Sequence, residues 1–147
     1  MFIGRYEHTI DQKGRTSLPA RYRETLLGKY DERLVITNSY SKCLDLYPYK
    51  EWERLLDKVN SLPSSEKAVK AFQRFVIAGG KECTVDKQGR ILISPTLREF
   101  AGLEKEVVFV GVSNKIEIWN KASWEEEFNK SKKTLEEHSD TLADYGL

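Results

Sequence analysis

The sequence has too little cysteine and histidine to build a site from either. Cys43 and Cys83 are its only cysteines, too few and too scattered for a disulfide framework or a zinc cluster. Each reads as a small hydrophobe in or beside a strand. The two histidines, His8 and His138, stand far apart, which leaves no ligand set and no catalytic pair. No nucleophile-and-base pattern and no Gly-rich phosphate loop occurs, so no enzyme, cofactor, metal or small-molecule ligand is expected. No apolar run approaches the roughly 20 residues of a membrane helix, and the N-terminus lacks a signal-peptide pattern; a cytoplasmic protein is expected. Proline is scarce too, and three of the four, Pro19, Pro48 and Pro95, stand where a helix should open.

Charge of one sign is also missing, since the net charge is +1 over 147 residues. Its distribution is uneven. Residues 1–30 and residues 61–100 each carry a net +3, residues 31–60 carry −1, and residues 101–147 carry −4. A chain can be near neutral and still turn a basic face towards a polyanion.

The two basic segments hold the same motif. Asp11-Gln-Lys-Gly-Arg15 returns as Asp86-Lys-Gln-Gly-Arg90, and the likeness runs without a gap from Asp11 to Glu24 against Asp86 to Glu99, at an offset of 75. Further on, Leu44-Asp-Leu-Tyr47 with Trp52 answers Ile116-Glu-Ile-Trp119 with Trp124 at an offset of 72. The three lost residues are expected in a turn. A repeat of this kind sets the reading of the whole chain.

Each copy reads as strand, turn, strand, short helix, two strands, helix. Tyr6, His8 and Ile10 alternate on one strand face. Asp at the first position and Gly at the fourth suit a type I turn followed by a left-handed residue, which closes a β-hairpin onto Arg15-Thr-Ser-Leu18. A helix over 20–27 then offers Tyr22, Leu26 and Leu27 to a core, with Gly28 ending it. Strands 34–37 and 42–47 follow, then a helix carrying Trp52, Leu55, Leu56 and Val59. Residues 62–65 are a connector, and a second helix spans 66–78 up to Gly79-Gly80. The second copy repeats the scheme, with Ser94 as N-cap, Gly102 as helix stop, and a capping box at Ser123 and Glu126. Tyr47, Trp52, Trp119 and Trp124, at matched positions, read as core or protomer interface. After Lys133 a frayed acidic tail is expected.

Half of such a chain buries little apolar surface alone. The copies are therefore expected to pair into one α+β domain with a mainly β, pseudo-twofold barrel-like core and the longer helices outside. This divides the chain into residues 1–60, a connecting helix in 61–80, residues 81–134, and a tail in 135–147.

The repeated motif admits two readings. Turn chemistry accounts for Asp11, Gly14, Asp86 and Gly89: the carboxylate caps the loop and glycine takes the left-handed position. It does not account for Arg15 and Arg90. If the copies pair, both loops could lie side by side, and Lys13, Arg15, Lys87 and Arg90 would form one basic set, with Arg21, Arg23 and Arg98 nearby. Arginine offers a fork of donors suited to phosphate and to the guanine edge in the major groove.

These two motif copies, the start Met-Phe-Ile-Gly4, the helix openings Leu18-Pro-Ala-Arg-Tyr-Arg23 and Ser94-Pro-Thr-Leu-Arg98, and the length resemble the MraZ family. Those proteins are bacterial transcriptional regulators related to the AbrB-type swapped-hairpin DNA-binding proteins. The resemblance covers residues 1–130. It implies a double-split β-barrel built from one chain, assembly of several protomers into a ring, and a nucleoid-associated role. It also implies binding to short direct repeats in double-stranded DNA upstream of the protein's own gene, usually repressing a cell-division and cell-wall cluster. The family's DNA-contacting arginine maps onto Arg15, and its duplicate onto Arg90; Lys13 and Lys87 are added from their place in the turn. Ser94 departs from the family's usual proline but caps a helix adequately. An antitoxin-like module, using the acidic tail to capture a partner protein, is the rival reading.

Overall fold

The computed structural model describes all of residues 1–147. Its elements are β1 (Arg5–Thr9), β2 (Arg15–Ser17), α1 (Ala20–Lys29), β3 (Arg33–Asn38), β4 (Leu44–Pro48) and α2 (Tyr49–Asn60). They continue with α3 (Lys67–Phe72), a π-helical turn (Gln73–Ile77), β5 (Lys81–Thr84), β6 (Arg90–Leu92), α4 (Pro95–Ala101), β7 (Glu106–Gly111), β8 (Ile116–Asn120), α5 (Lys121–Glu137) and α6 (Ser139–Asp144).

The α+β class with a mainly antiparallel β core is as expected. The pairing inside each copy is not. The expected hairpin between β1 and β2 amounts to one bridge, Ile10 to Thr16, and the loop-closing bond from Asp11 N to Arg15 O at 2.9 Å. β1 instead pairs with β7, and its counterpart β5 pairs with β3, so each leading strand joins the other copy. The six-stranded order β1-β7-β8-β4-β3-β5 reads the same when the copies are exchanged. β2 and β6 form a separate two-stranded ribbon. Hydrogen bonding leaves the large sheet open at β1 and β5 rather than closing it into a barrel.

Apolar side chains occupy both faces of the large sheet, which is why β3 and β7 each bury four consecutive residues. On one face Leu34, Ile36, Leu44, Leu46, Val107, Phe109, Ile116 and Ile118 pack with Ile91 of the ribbon, Tyr22 and Leu26 of α1, and Leu97 of α4. On the other, Trp52 and Val76 cover Val35 and Tyr47, while Trp124 of α5 covers Val108, Val110 and Trp119. The matched aromatics are thus packing residues. Phe2, fully buried, stacks on Tyr30 and meets Tyr22 edge-on, which fixes the start of the chain in the main core.

Several local expectations change. α1 runs through Gly28 to Lys29, and Leu27 points outward at 72% exposure because Tyr22 and Leu26 already fill the buried face. Two of the three residues lost between copies come from the end of this longer helix and one from the β3–β4 turn. The helix expected over 66–78 widens into the π turn, in which the Phe75 and Val76 carbonyls accept from the Asn38 and Thr37 side chains. Asn120, not Ser123, caps α5, taking the Ser123 N–H at 3.2 Å. The acidic tail is helical through α6, its residues largely exposed.

No helix is long and apolar enough to cross a membrane.

Candidate nucleic-acid interface

In both copies aspartate builds the loop. Oδ1 of Asp11 accepts the backbone N–H groups of Lys13 and Arg15, each at 2.9 Å. Oδ1 of Asp86 accepts those of Gln88 at 2.8 Å and Arg90 at 2.9 Å. Hydrogen bonds from these N–H groups, above all those of the arginines, hold both carboxyls below the ordinary aspartate range. The second oxygen takes the arginine side chain: Nε of Arg15 lies 2.8 Å from Asp11 Oδ2, and Nε of Arg90 lies 3.0 Å from Asp86 Oδ2. Only the Nε edge of each guanidinium is engaged, so the terminal fork of each arginine has no partner within the protein.

Glycine closes the loop for two reasons. Gly14 and Gly89 have φ of +89° and +77°, the left-handed region. A Cβ on Gly14 would also stand 2.4 Å from the Ile93 carbonyl oxygen, and one on Gly89 would stand 2.6 Å from Nη1 of Arg23.

The two arginines share the solvent face of the β2–β6 ribbon. Arg15 faces Leu92, Thr16 faces Ile91, and Ser17 faces Arg90. Thr16 and Ile91 point into the core, so Arg15, Ser17, Arg90 and Leu92 lie on the outer face. Arg15 and Arg90 are diagonal neighbours on that face, with backbones about 7–8 Å apart. The loops themselves are not side by side. They stand at opposite ends of the ribbon, each beside the outgoing end of the other strand, where Leu18 N bonds to Gly89 O at 2.9 Å and Ile93 N to Gly14 O at 2.8 Å.

One further expectation needs correction. Arg23 and Arg98 are not part of a free basic set. Arg23 Nη1 donates to Leu18 O at 2.6 Å and to Gly89 O at 3.5 Å. Arg98 donates through Nε to Ile93 O at 3.0 Å and through Nη1 to Gln12 O at 3.4 Å. Each is spent on the backbone beneath the other copy's loop, a role that its charge alone does not reveal. Arg21 is exposed on α1 and lies 3.7 Å from Glu24. Finally, Lys13 and Lys87 both sit on exposed turns but at different positions: the counterpart of Lys13 is Gln88, and that of Lys87 is Gln12.

One other polar cluster lies on the opposite face of the large sheet. Asp45 and Glu117 face one another across β4 and β8. Nζ of Lys115 is 2.9 Å from Asp45 Oδ2, and Oδ1 has no partner. Burial pushes the Asp45 carboxyl up. This is a buried ion pair in a sheet centre, remote in topology from the ribbon.

Fold and site together define a mainly antiparallel α+β protein that presents two aspartate-held arginines on one exposed ribbon. The family model described as "MraZ protein, putative antitoxin-like" matches residues 1–75 and again residues 76–145. The protein named "Transcriptional regulator MraZ" from Thermoanaerobacter sp. (strain X514) is 46% identical over 147 residues, covering all of both chains. Proteins of the same name from Caldanaerobacter subterraneus subsp. tengcongensis and Pediococcus pentosaceus are 45% and 44% identical, again over the full length of both chains. The chain belongs to the MraZ family.

Proposed function

We propose that this protein is a sequence-specific DNA-binding transcriptional regulator, and that the β2–β6 ribbon is its reading surface. The observation that carries this reading is the pair of guanidinium forks, anchored by Asp11 and Asp86 at Nε and unengaged at the terminal nitrogens, on one exposed face. A two-stranded ribbon fits the major groove, and a held arginine fork pairs with the O6 and N7 of guanine. Each Asp–Arg pair is neutral as a unit, so Arg15 and Arg90 supply recognition, while Lys13 and Lys87 on the turns supply attraction to phosphate.

The exchange of leading strands and the division into two ladders support a swapped-hairpin, double-split arrangement of the two copies, with residues 1–60 and 81–134 as its halves. The names of the relatives support a regulatory role, which we take to be repression at short direct repeats upstream of the protein's own gene, in the nucleoid. Self-association into a ring is part of the same reading, for which the apolar groove between α2 and α3, about 310 Å³ and lined by Tyr40, Leu55, Val59, Leu62, Val69 and Phe72, offers a protomer surface. The test is a gel shift on the chain's own upstream DNA, with a shuffled duplex as control. A specific shift supports the reading, and equal affinity for both duplexes overturns it.

An antitoxin-like interaction module is the second reading. Phe128 and Leu135 on α5 are 42% and 55% exposed on a helical extension rich in glutamate, a surface that a partner protein could use.

A further inference from the structure

The repeat preserves a frame and varies what the frame presents. Asp, Gly and Arg are the same in both loops, and each makes the same contacts. The positions between and after them differ: Gln12 against Lys87, Lys13 against Gln88, and half-buried Ser17 against exposed Leu92. On the ribbon's outer face this makes two unlike cross-strand pairs, Arg15 with Leu92 and Arg90 with Ser17.

Leu92 is the apolar residue on the ribbon's outer face that packing does not explain. It is 57% exposed, whereas its neighbours Ile91 and Ile93 are buried at 1% and 0%. The strand alternation would suit a polar residue there, as Ser17 shows in the other copy. It lies outside the three buried apolar clusters. It stands directly opposite Arg15, with Cβ atoms about 5 Å apart, between one and two times the rise of about 3.4 Å between stacked base pairs.

We propose that Leu92 is a specificity residue that packs on the 5-methyl group of a thymine next to the base pair engaged by Arg15. In the major groove the thymine methyl is the one apolar feature among the base edges, and aliphatic side chains recognise it by contact. Ser17 offers no comparable apolar surface beside Arg90. The two ends of the ribbon therefore read different dinucleotide steps, and the bound element has a direction even though the arginines are related by the repeat. This inference rests on the reading of the ribbon as a DNA-recognition surface.

The test uses the full-length protein and duplexes selected by it from a random-sequence pool. Selected duplexes are resynthesised with deoxyuridine in place of thymine at each position in turn, and affinities are measured for the wild type and Leu92→Ser. For the wild type one thymine, beside a guanine of the selected element, should show a loss of about fourfold, the worth of one buried methyl group. In Leu92→Ser the same replacement should cost nothing, with the assembly size unchanged by light scattering. If uridine costs the wild type nothing at every position, or costs both proteins equally, the proposal is wrong. A change of assembly size in Leu92→Ser would assign the side chain to a protomer contact and overturn it as well. If the pool yields no element at all, the DNA-binding reading fails first and takes this inference with it.

Discussion

Arg23 of α1 and Gly89 of the second loop meet across the two copies. Nη1 of Arg23 donates to the Gly89 carbonyl at 3.5 Å, and a Cβ on that glycine would come within 2.6 Å of the same nitrogen. Arg98 and Gly14 repeat the relationship in reverse: Arg98 Nε lies 2.8 Å from the place of a Gly14 Cβ. Each loop, shaped by its own aspartate, is thus also contacted by an arginine from the opposite copy.

Arg23→Ala should therefore loosen the second loop, with Arg98→Ala doing the same to the first. Each variant should lose about 1.5–3 kcal/mol, the usual worth of a hydrogen bond to a charged donor. Denaturant unfolding measures the loss, and backbone NMR shifts should change at residues 86–90 for Arg23→Ala and at 11–15 for Arg98→Ala. Shifts confined to the mutated helix would contradict the cross-copy assignment.

Gly14→Ala should be worse than an ordinary surface substitution. The left-handed backbone alone costs a non-glycine residue about 1–3 kcal/mol, and the added carbon must also displace the Ile93 carbonyl. A thermal midpoint within a degree of the wild type would show that the loop relaxes more freely than the geometry allows.

Acid should act on the loops late. The folded-state pKa values of Asp11 and Asp86 lie below the ordinary value of 3.8 because both carboxylates accept backbone N–H bonds. The stabilisation they give is complete above that value and is lost only as pH falls through the lowered range. Loop chemical shifts should stay constant from pH 8 to about pH 5, and a loop transition near neutrality would contradict this account.

Lys13→Ala and Lys87→Ala should each weaken DNA binding evenly across sequences. Each should also reduce the salt-dependence slope by roughly 0.9, the value for one phosphate contact. Removing residues 135–147 should leave DNA affinity unchanged; a loss there would favour a role for the acidic helices.

Much of this was legible in the sequence because it rests on local chemistry. Asp11 and Gly14, with their duplicates, declare a loop, and Tyr22, Trp52 and Trp119 declare packing positions through their spacing. The exchange of β1 and β5 between copies was not legible from residue patterns, because a strand's alternation states which face is buried and not which strand it joins. Arg23 and Arg98 read in the sequence as neighbours of the basic set for a similar reason: only the fold shows that Arg23 lies under a loop 66 residues away in the chain. Phe2 gave no periodic signal, being a single residue ahead of its strand, and Leu92 became notable only once its neighbours were seen to be buried.

Arg15 and Arg90 are proposed as recognition residues rather than parts of the fold. Fluorescence titration of the chain's own upstream DNA, with a shuffled duplex in parallel, tests this on the wild type, Arg15→Ala and Arg90→Ala. Each variant should bind both duplexes alike, with the preference for the upstream DNA lost and the unfolding midpoint and assembly size unchanged. A variant that unfolds normally and still prefers its own upstream DNA by the wild-type margin would contradict the claim.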